Sequence, residues 1–238
     1  MKTASDLKIK LFADGADQAQ ILRAATNPLI KGFTTNPTLM RAAGVIDYEK
    51  FAREILASIQ DKPISFEVFA DEFVEMERQA RKIAGWADNV YVKIPITNTR
   101  GESAMPLARR LAHSGVKINV TAVLTADQVK EAAAAVGGGA PAVISVFAGR
   151  IADTGRDPVP MMAAAMTVIA PYGNIELLWA SPRELLNIFQ ADEVGCHIIT
   201  ATDSVLSKLQ AVGKDLREFS LETVKMFHTD ATRSNFTL

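Results

Sequence analysis

The sequence of 238 residues contains one cysteine, Cys196, and three histidines. A single cysteine cannot form a disulfide within the chain, which is typical of a reducing cytoplasm, so we expect a cytoplasmic protein. Cys196 lies in an apolar segment, where a small buried hydrophobic residue is a better interpretation than a reactive thiol. The histidines have no metal-ligand spacing, and no Cys/His cluster or paired-carboxylate motif occurs with them. We therefore expect no metal and no other cofactor.

The sequence also lacks an excess of charge, many aromatic residues and long apolar runs. Its 26 Lys and Arg residues nearly balance 27 Asp and Glu residues, and 7% of the chain is aromatic. This composition gives no electrostatic basis for a nucleic-acid partner. No apolar run approaches the ~20 residues that span a bilayer, and the N-terminus lacks a signal-peptide pattern. We expect a soluble, globular protein whose partners are small molecules, without a membrane partner.

Short apolar segments rich in β-branched residues alternate with segments of helical periodicity along the chain. The pattern predicts strands at residues 8–13, 30–35, 64–69, 89–95, 116–122, 141–147, 175–180 and 195–200. It predicts helices at residues 17–25, 47–59, 71–84, 102–113, 125–136, 157–170, 182–190 and 203–209, another that begins at Asn36-Pro37, and a last amphipathic segment at 220–227.

Eight strand–helix units in a chain of 238 residues are typical of a (β/α)8 TIM barrel. No linker or shift in composition divides the chain, so we expect a single domain over residues 1–238 with an extra C-terminal helix. A doubly wound open sheet is the alternative fold. No Gly-x-Gly-x-x-Gly motif follows the first strand, and this absence disfavours the alternative.

Lys93 lies near the end of the predicted fourth strand, between apolar neighbours. Burial lowers the pKa of a lysine, and the neutral amine is a nucleophile for a carbonyl carbon, as in Schiff-base chemistry. A lysine in this position can equally extend its ammonium group to solvent or pair with a carboxylate. The strand alone does not decide between these interpretations.

Polar residues follow seven of the eight predicted strands, at the end where TIM barrels form their sites. Each has a plain local explanation, such as helix capping or exposure to solvent. Together they offer an amine, carboxylates, hydroxyls, amides and guanidinium groups, which favours an enzyme site. They are Asp14, Asn36, Glu67, Lys93, Asn119 with Thr121, Ser145 with Arg150, and Ser181 with Arg183.

Four motifs resemble the transaldolases, in particular the short single-domain group. They are Phe33-Thr34-Thr35-Asn36-Pro37-Thr38-Leu39, Val90-Tyr91-Val92-Lys93-Ile94-Pro95, Ile118-Asn119-Val120-Thr121 and Ser145-Val146-Phe147-Ala148-Gly149-Arg150. The resemblance implies a class I aldolase-type barrel that moves a dihydroxyacetone unit between sugar phosphates of the pentose phosphate pathway, without a cofactor. Fructose 6-phosphate or sedoheptulose 7-phosphate is the default donor. It also implies a homo-oligomer, a pentamer or decamer, in which the C-terminal helix reaches a neighbour.

The resemblance further implies roles for individual residues. Lys93 forms the Schiff base, Asp14 takes the proton of the C4 hydroxyl, and Glu67 shuttles protons through a water near Thr121. Asn36, Asn119 and Ser145 hold the three-carbon unit, and Arg150, Ser181 and Arg183 bind the phosphate. Thr35 and Phe147 are also among the expected substrate-binding residues. Guanidinium groups match phosphate oxygens well.

The related fructose-6-phosphate aldolases release free dihydroxyacetone and carry Gln and Tyr where this chain has Glu67 and Phe147. These two residues favour transfer over release. Gly15, Val146 and Pro182 depart from the common pattern and leave the donor open, including long-chain or sulfonated sugars. A non-enzymatic phosphosugar-binding barrel, with Lys93 paired to a carboxylate, is a further alternative.

Overall fold

The protein, in a computed structural model that describes residues 3–234, is built on eight parallel strands. The strands are β1 (Lys10–Asp14), β2 (Ile30–Thr34), β3 (Ile64–Glu67), β4 (Val90–Pro95), β5 (Ile118–Val123), β6 (Ala142–Val146), β7 (Ile175–Trp179) and β8 (Ile198–Ala201). Each strand pairs with the next, and β1 pairs with β8 through four registered residues, so the sheet closes into a barrel.

Helices follow the strands around the outside of the barrel. They are α1 (Gln18–Ala25), α2 (Pro37–Ala42), α3 (Tyr48–Ser58), α4 (Phe73–Ala84), α5 (Met105–His113), α6 (Ala126–Val136), α7 (Ala148–Ala152), α8 (Val159–Ile169), α9 (Leu186–Glu193), α10 (Asp203–Leu206) and α11 (Leu216–Arg233). Short 3-10 turns occupy Ala4–Asp6 and Ser207–Ala211. The predicted (β/α)8 barrel with an extra C-terminal helix is confirmed.

The apolar core has two parts because alternate residues of each strand face opposite sides of the sheet. The larger part lies between the strands and the helices. A smaller cluster of Phe12, Val143, Leu178 and Ile198, among others, fills the barrel interior. A Cβ atom on Gly32 would lie 2.4 Å from the Phe12 ring, so glycine in β2 leaves the space for this ring. This interior apolar cluster lies beneath the polar residues at the ends of the strands.

The structure differs from the predicted helices in two places. A short helix that was not predicted, α7, starts directly after β6. The last helix is longer than predicted, with 18 residues in place of 220–227. Its apolar residues stay exposed, with Leu216 at 80% and Phe227 at 62%. Among residues 3–234, no helix has both the length and the apolar character needed to cross a membrane.

Candidate active site

A cavity of about 430 Å³ opens at the carboxyl ends of the strands. Nine of the twelve residues predicted from the sequence line it: Asp14, Asn36, Glu67, Lys93, Thr121, Ser145, Phe147, Arg150 and Ser181. The parallel closed sheet explains this convergence, because all its strands end at the same rim. Thr35, Asn119 and Arg183 do not line the cavity.

Lys93 and Glu67 form a buried pair at the centre of the site. Lys93 Nζ donates to Glu67 Oε1 at 2.7 Å and to the carbonyl oxygen of Thr35 at 2.5 Å, and the two charged side chains are 9% and 8% exposed. The pair follows from register, because Glu67 on β3 lies opposite Lys93 on β4. The Thr35 hydroxyl donates to the carbonyl of Ser65 and also lies 3.2 Å from Glu67 Oε2. Thr35 therefore supports the pair and does not face the cavity.

Asp14 is held by a chain of hydroxyl groups from neighbouring strands. Thr34 Oγ1 on β2 donates to Asp14 Oδ1 at 2.7 Å. Thr34 has a single hydroxyl proton, so the 2.5 Å contact between Thr34 and Thr200 Oγ1 requires Thr200 on β8 to be the donor. Thr200 therefore donates to Thr34, and Thr34 donates to Asp14 Oδ1, which fixes this carboxylate oxygen. The other oxygen, Oδ2, faces Asn36.

Asn36 serves both the helix and the site. Its Oδ1 accepts from the backbone N–H of Leu39 at 2.9 Å and caps α2, as the Asn-Pro sequence predicts. Its Nδ2 lies 3.3 Å from Asp14 Oδ2. The capping bond thus orients the amide so that its donor side faces the carboxylate.

A polar layer lies below the cavity between β3, β5 and β6. Asn119 is fully buried, donates to Ser65 Oγ at 3.0 Å and accepts from Ser145 Oγ at 2.7 Å. It therefore reaches the cavity only through Ser145. Above this layer the Thr121 hydroxyl is buried and has no hydrogen-bond partner within residues 3–234. The next residue, Ala122, has a φ of 61°, and the β5–β6 register shifts between Val120 and Val123, so a bulge sets the direction of Thr121.

The cationic end of the cavity depends on a close approach between α7 and the loop after β7. A Cβ on Gly149 would lie 1.5 Å from the carbonyl oxygen of Ser181, so only glycine allows this contact. Ser181 itself has a φ of 59°, unusual for a residue with a side chain. Arg150, next to Gly149, lies over the Phe147 ring with 5.5 Å between guanidinium carbon and ring centroid. This packing brings a hydroxyl and a guanidinium group together at one side of the cavity.

Arg183 lies outside the lining and pairs with Asp153. Its Nε donates to Asp153 Oδ1 at 2.8 Å and its Nη2 to Oδ2 at 2.5 Å. Both side chains are about half exposed, at 47% and 51%. The Arg183 guanidinium holds the pKa of Asp153 below its ordinary value, mainly through these hydrogen bonds. The predicted phosphate contact of Arg183 stays a prediction, and Asp153 competes for the same donors.

Burial dominates the electrostatics of both catalytic candidates with carboxyl groups. Burial raises the pKa of Glu67 above its ordinary value, although the charge and hydrogen bond of Lys93 oppose it. Burial also raises the pKa of Asp14, against the attraction of Lys93 and the hydrogen bonds from Thr34 and Asn36. Two buried carboxyl groups with raised pKa values thus lie beside one amine, an arrangement suited to general acid–base catalysis.

Sequence reasoning missed three residues of the site: Thr34, Thr200 and Tyr48. Thr34 and Thr200 line the cavity. The signal for Thr200 was available, because it ends the one predicted strand for which no polar residue was assigned, and Thr34 stands in the Thr-Thr-Asn-Pro motif. Tyr48 bonds the backbone of Glu67 from another element, and no local pattern indicates that contact.

Comparison with known proteins decides the family. The family model described as Transaldolase/Fructose-6-phosphate aldolase matches residues 11–238. The chain belongs to this family. A protein of Listeria monocytogenes named "Probable transaldolase 2" is 38% identical over 202 residues, which are 84% of this chain and 88% of that protein. A "Probable transaldolase" of a Thermoanaerobacter species is 35% identical over 218 residues, 91% of this chain and 95% of the relative.

The comparisons confirm the predicted transaldolase family and an enzyme of the aldolase and transferase group. Among solved structures, the dihydrodipicolinate synthase of Rhodopseudomonas palustris superposes with a TM-score of 0.54 at 13% identity, over 93% of this chain and 80% of the other. That likeness concerns the barrel fold alone. Within residues 3–234, His, Cys, Asp and Glu side chains do not gather in a group of three or more that could hold a metal ion.

Proposed function

We propose that this protein transfers a dihydroxyacetone unit from a ketose phosphate to an aldose phosphate through a Schiff base on Lys93. The observation that carries the proposal is the buried Lys93 amine, 2.7 Å from Glu67, on the floor of a cavity that Asp14 also lines. Membership of the transaldolase family supports the same chemistry.

In the proposed cycle, Glu67 accepts a proton from Lys93, and the neutral amine attacks C2 of the donor. The protonated Glu67 then returns a proton to the carbinolamine hydroxyl, which leaves as water to give the iminium. The raised pKa of Glu67 suits both directions of this transfer. Thr121 lines the same cavity, and its hydroxyl, which has no hydrogen-bond partner within residues 3–234, is proposed to bind the water involved.

Asp14 takes the proton of the C4 hydroxyl while the C3–C4 bond breaks. The electron pair of that bond moves into the iminium and gives an enamine, so no free carbanion forms. The aldose phosphate product leaves, and the enamine attacks the carbonyl carbon of the acceptor in the reverse sense. Thr34 and Asn36 hold the Asp14 carboxylate in place for both proton transfers.

Arg150 and Ser181 line the far side of the cavity and are proposed to bind the substrate phosphate. A charge-assisted hydrogen bond of this kind contributes about 1.5–3 kcal/mol. Phe147 lines the cavity without a hydroxyl group, so it offers no donor or acceptor for hydrolysis of the adduct. The enamine is thereby retained for an acceptor, which supports transfer over release of dihydroxyacetone.

Borohydride trapping tests the nucleophile and the reaction together. Protein incubated with fructose 6-phosphate and borohydride should carry a three-carbon adduct on the peptide that contains Lys93. Lys93→Met should carry none, whereas Lys10→Met, which changes a lysine paired with Glu176, should behave as the wild type. Absence of an adduct with this donor and with sedoheptulose 7-phosphate, or an adduct on another lysine, would refute the assignment.

The proposal extends to a homo-oligomer in a cytoplasmic setting. Helix α11 exposes Phe219, Leu221, Val224 and Phe227 at 48–62%. Several exposed large apolar side chains on one helix favour a protein partner, and a second copy of the chain is consistent with the assemblies that the family resemblance implies. Sedimentation velocity of the wild type and of a variant with Val224→Glu and Phe227→Glu tests it. A monomeric wild type contradicts the proposal.

A further inference from the structure

The phenol hydroxyl of Tyr48 makes two hydrogen bonds to the backbone of a single residue, Glu67. It donates to the Glu67 carbonyl oxygen at 3.1 Å and accepts from the Glu67 backbone N–H at 2.8 Å. Tyr48 is the first residue of α3, and Glu67 is the last residue of β3. A hydroxyl group is one of the few side-chain groups that can donate and accept through the same atom.

These two bonds replace backbone pairing with β2, which ends before it reaches Glu67. The N–H and C=O of one strand residue point to the same neighbouring strand, and those of the next residue point to the other. The Val68 N–H donates to the Lys93 carbonyl on β4, so the polar groups of Glu67 face β2. The pairing of β2 with β3 ends at Thr34 and Ser65, and β2 offers Glu67 no partner.

The Tyr48 ring is fixed by other aromatic rings. Its centroid lies 4.6 Å from that of Phe69, 5.6 Å from that of Trp86 and 6.1 Å from that of Phe66, all in edge-to-face geometry. Burial, followed by the Glu67 charge, raises the pKa of Tyr48. The hydroxyl therefore keeps its proton and its direction toward the Glu67 backbone.

We propose that Tyr48 is a positioning residue that fixes the backbone of Glu67 and, through it, the contact between the Glu67 carboxylate and Lys93 Nζ. The chain of contacts runs from the ring cluster to the hydroxyl, to the end of β3, and to the 2.7 Å pair. Its catalytic consequence rests on the proposed function, because Glu67 moves protons during carbinolamine formation and breakdown. Without the hydroxyl, the last residue of β3 loses both backbone partners on one side.

Tyr48→Phe tests the inference because it removes only the hydroxyl and keeps the ring among its neighbours. Tyr172→Phe is the matched control because Tyr172 lies at the end of the barrel opposite to the site. The Tyr172 backbone carbonyl accepts from the N–H of Ile175, the first residue of β7. We expect Tyr48→Phe to slow trapping of the adduct on Lys93 by about 10- to 100-fold, as expected for displaced catalytic groups. Binding of inorganic phosphate should stay within about twofold, and Tyr172→Phe should change neither quantity.

A double-mutant cycle separates positioning from general stability. If Tyr48 acts through Glu67, Tyr48→Phe should slow trapping much less in a Glu67→Gln background than in the wild type. Equal slowing in both backgrounds, or an unchanged trapping rate in Tyr48→Phe, would overturn the inference.

We call the two hydrogen bonds between the Tyr48 hydroxyl and the Glu67 backbone the clamp. Amide hydrogen exchange measures this clamp without any turnover. The Glu67 amide should exchange faster in Tyr48→Phe, while the Val92 amide, which donates to the Lys117 carbonyl, keeps its protection. If the wild type forms no adduct on Lys93 but the Glu67 amide responds in this way, the proposed function fails and the clamp stands. An unchanged Glu67 amide refutes the clamp, whatever the activity.

Discussion

Substitution of Gly149 by alanine should selectively damage the phosphate end of the site. The added Cβ would lie 1.5 Å from the Ser181 carbonyl oxygen and 2.6 Å from its carbonyl carbon. Both atoms belong to backbone, so no rotation of a side chain can relieve the contact. The Gly149 N–H also donates to the Ala180 carbonyl at 3.2 Å, which ties α7 to the end of β7.

The size of the effect of Gly149→Ala follows from how far α7 and the Ser181 backbone must move apart. The Cβ–oxygen distance must increase by about 1.5 Å to reach the 3.0 Å below which real Cβ contacts essentially never occur. Overpacking of this kind costs about 1–3 kcal/mol of stability. Movement of α7 also carries Arg150 away from Ser181. Loss of one charge-assisted contact worth about 1.5–3 kcal/mol corresponds to roughly 10- to 150-fold in kcat/KM.

The assay compares kcat/KM for fructose 6-phosphate with that for unphosphorylated fructose. Gly149→Ala should lower the first about 10- to 150-fold and the second much less, since the lost contact concerns the phosphate alone. Gly173→Ala is the control, because a Cβ there has no neighbour within 4 Å. An unchanged preference for the phosphorylated sugar in a folded Gly149→Ala protein would refute this view of the site.

Three further predictions concern the carboxylates of Asp14, in the cavity, and Asp153, outside it. Thr34→Val removes a hydrogen bond that lowers the pKa of Asp14, so the acid limb of the pH profile of kcat/KM should move to higher pH; an unmoved limb contradicts the role of Asp14 as base. Asp14→Asn should abolish turnover but raise the melting temperature at neutral pH. Burial raises the pKa of Asp14, so its ionisation opposes folding above the pKa that it has in the unfolded chain. The gain in melting temperature should therefore vanish in acid, where Asp14 is protonated in both the folded and the unfolded state. A gain in melting temperature that does not depend on pH would contradict this explanation. Asp153→Asn weakens the pair that occupies Arg183 and should lower KM for phosphorylated donors several-fold; a higher KM would mean that Asp153 orients Arg183 for the phosphate.

The site shows how far local sequence reasoning reaches. Lys93, Glu67 and Asp14 were predicted as site residues because each stands at or near the end of an apolar strand, and parallel strands place such ends at one rim. Their individual roles came from the family resemblance. Asn36 was predicted both as a helix cap and as a site residue, and it caps α2 while its amide lies 3.3 Å from Asp14. Arg183 illustrates the limit, because its bond to Asp153 depends on a contact across 30 residues of sequence.

The sequence by itself determined the alternation of strands and helices, the barrel class and the residues that stand at the strand ends. These features depend on hydrophobic periodicity and on turn residues, which act over a few positions of the chain. Only the tertiary structure decided the register in which β8 pairs with β1, which brings Thr200 to Thr34 and Asp14, and the contact of Tyr48 with the Glu67 backbone where pairing with β2 has ended. Closure of the sheet and the position at which each pairing ends depend on all eight strands together, so no segment of the chain specifies them alone.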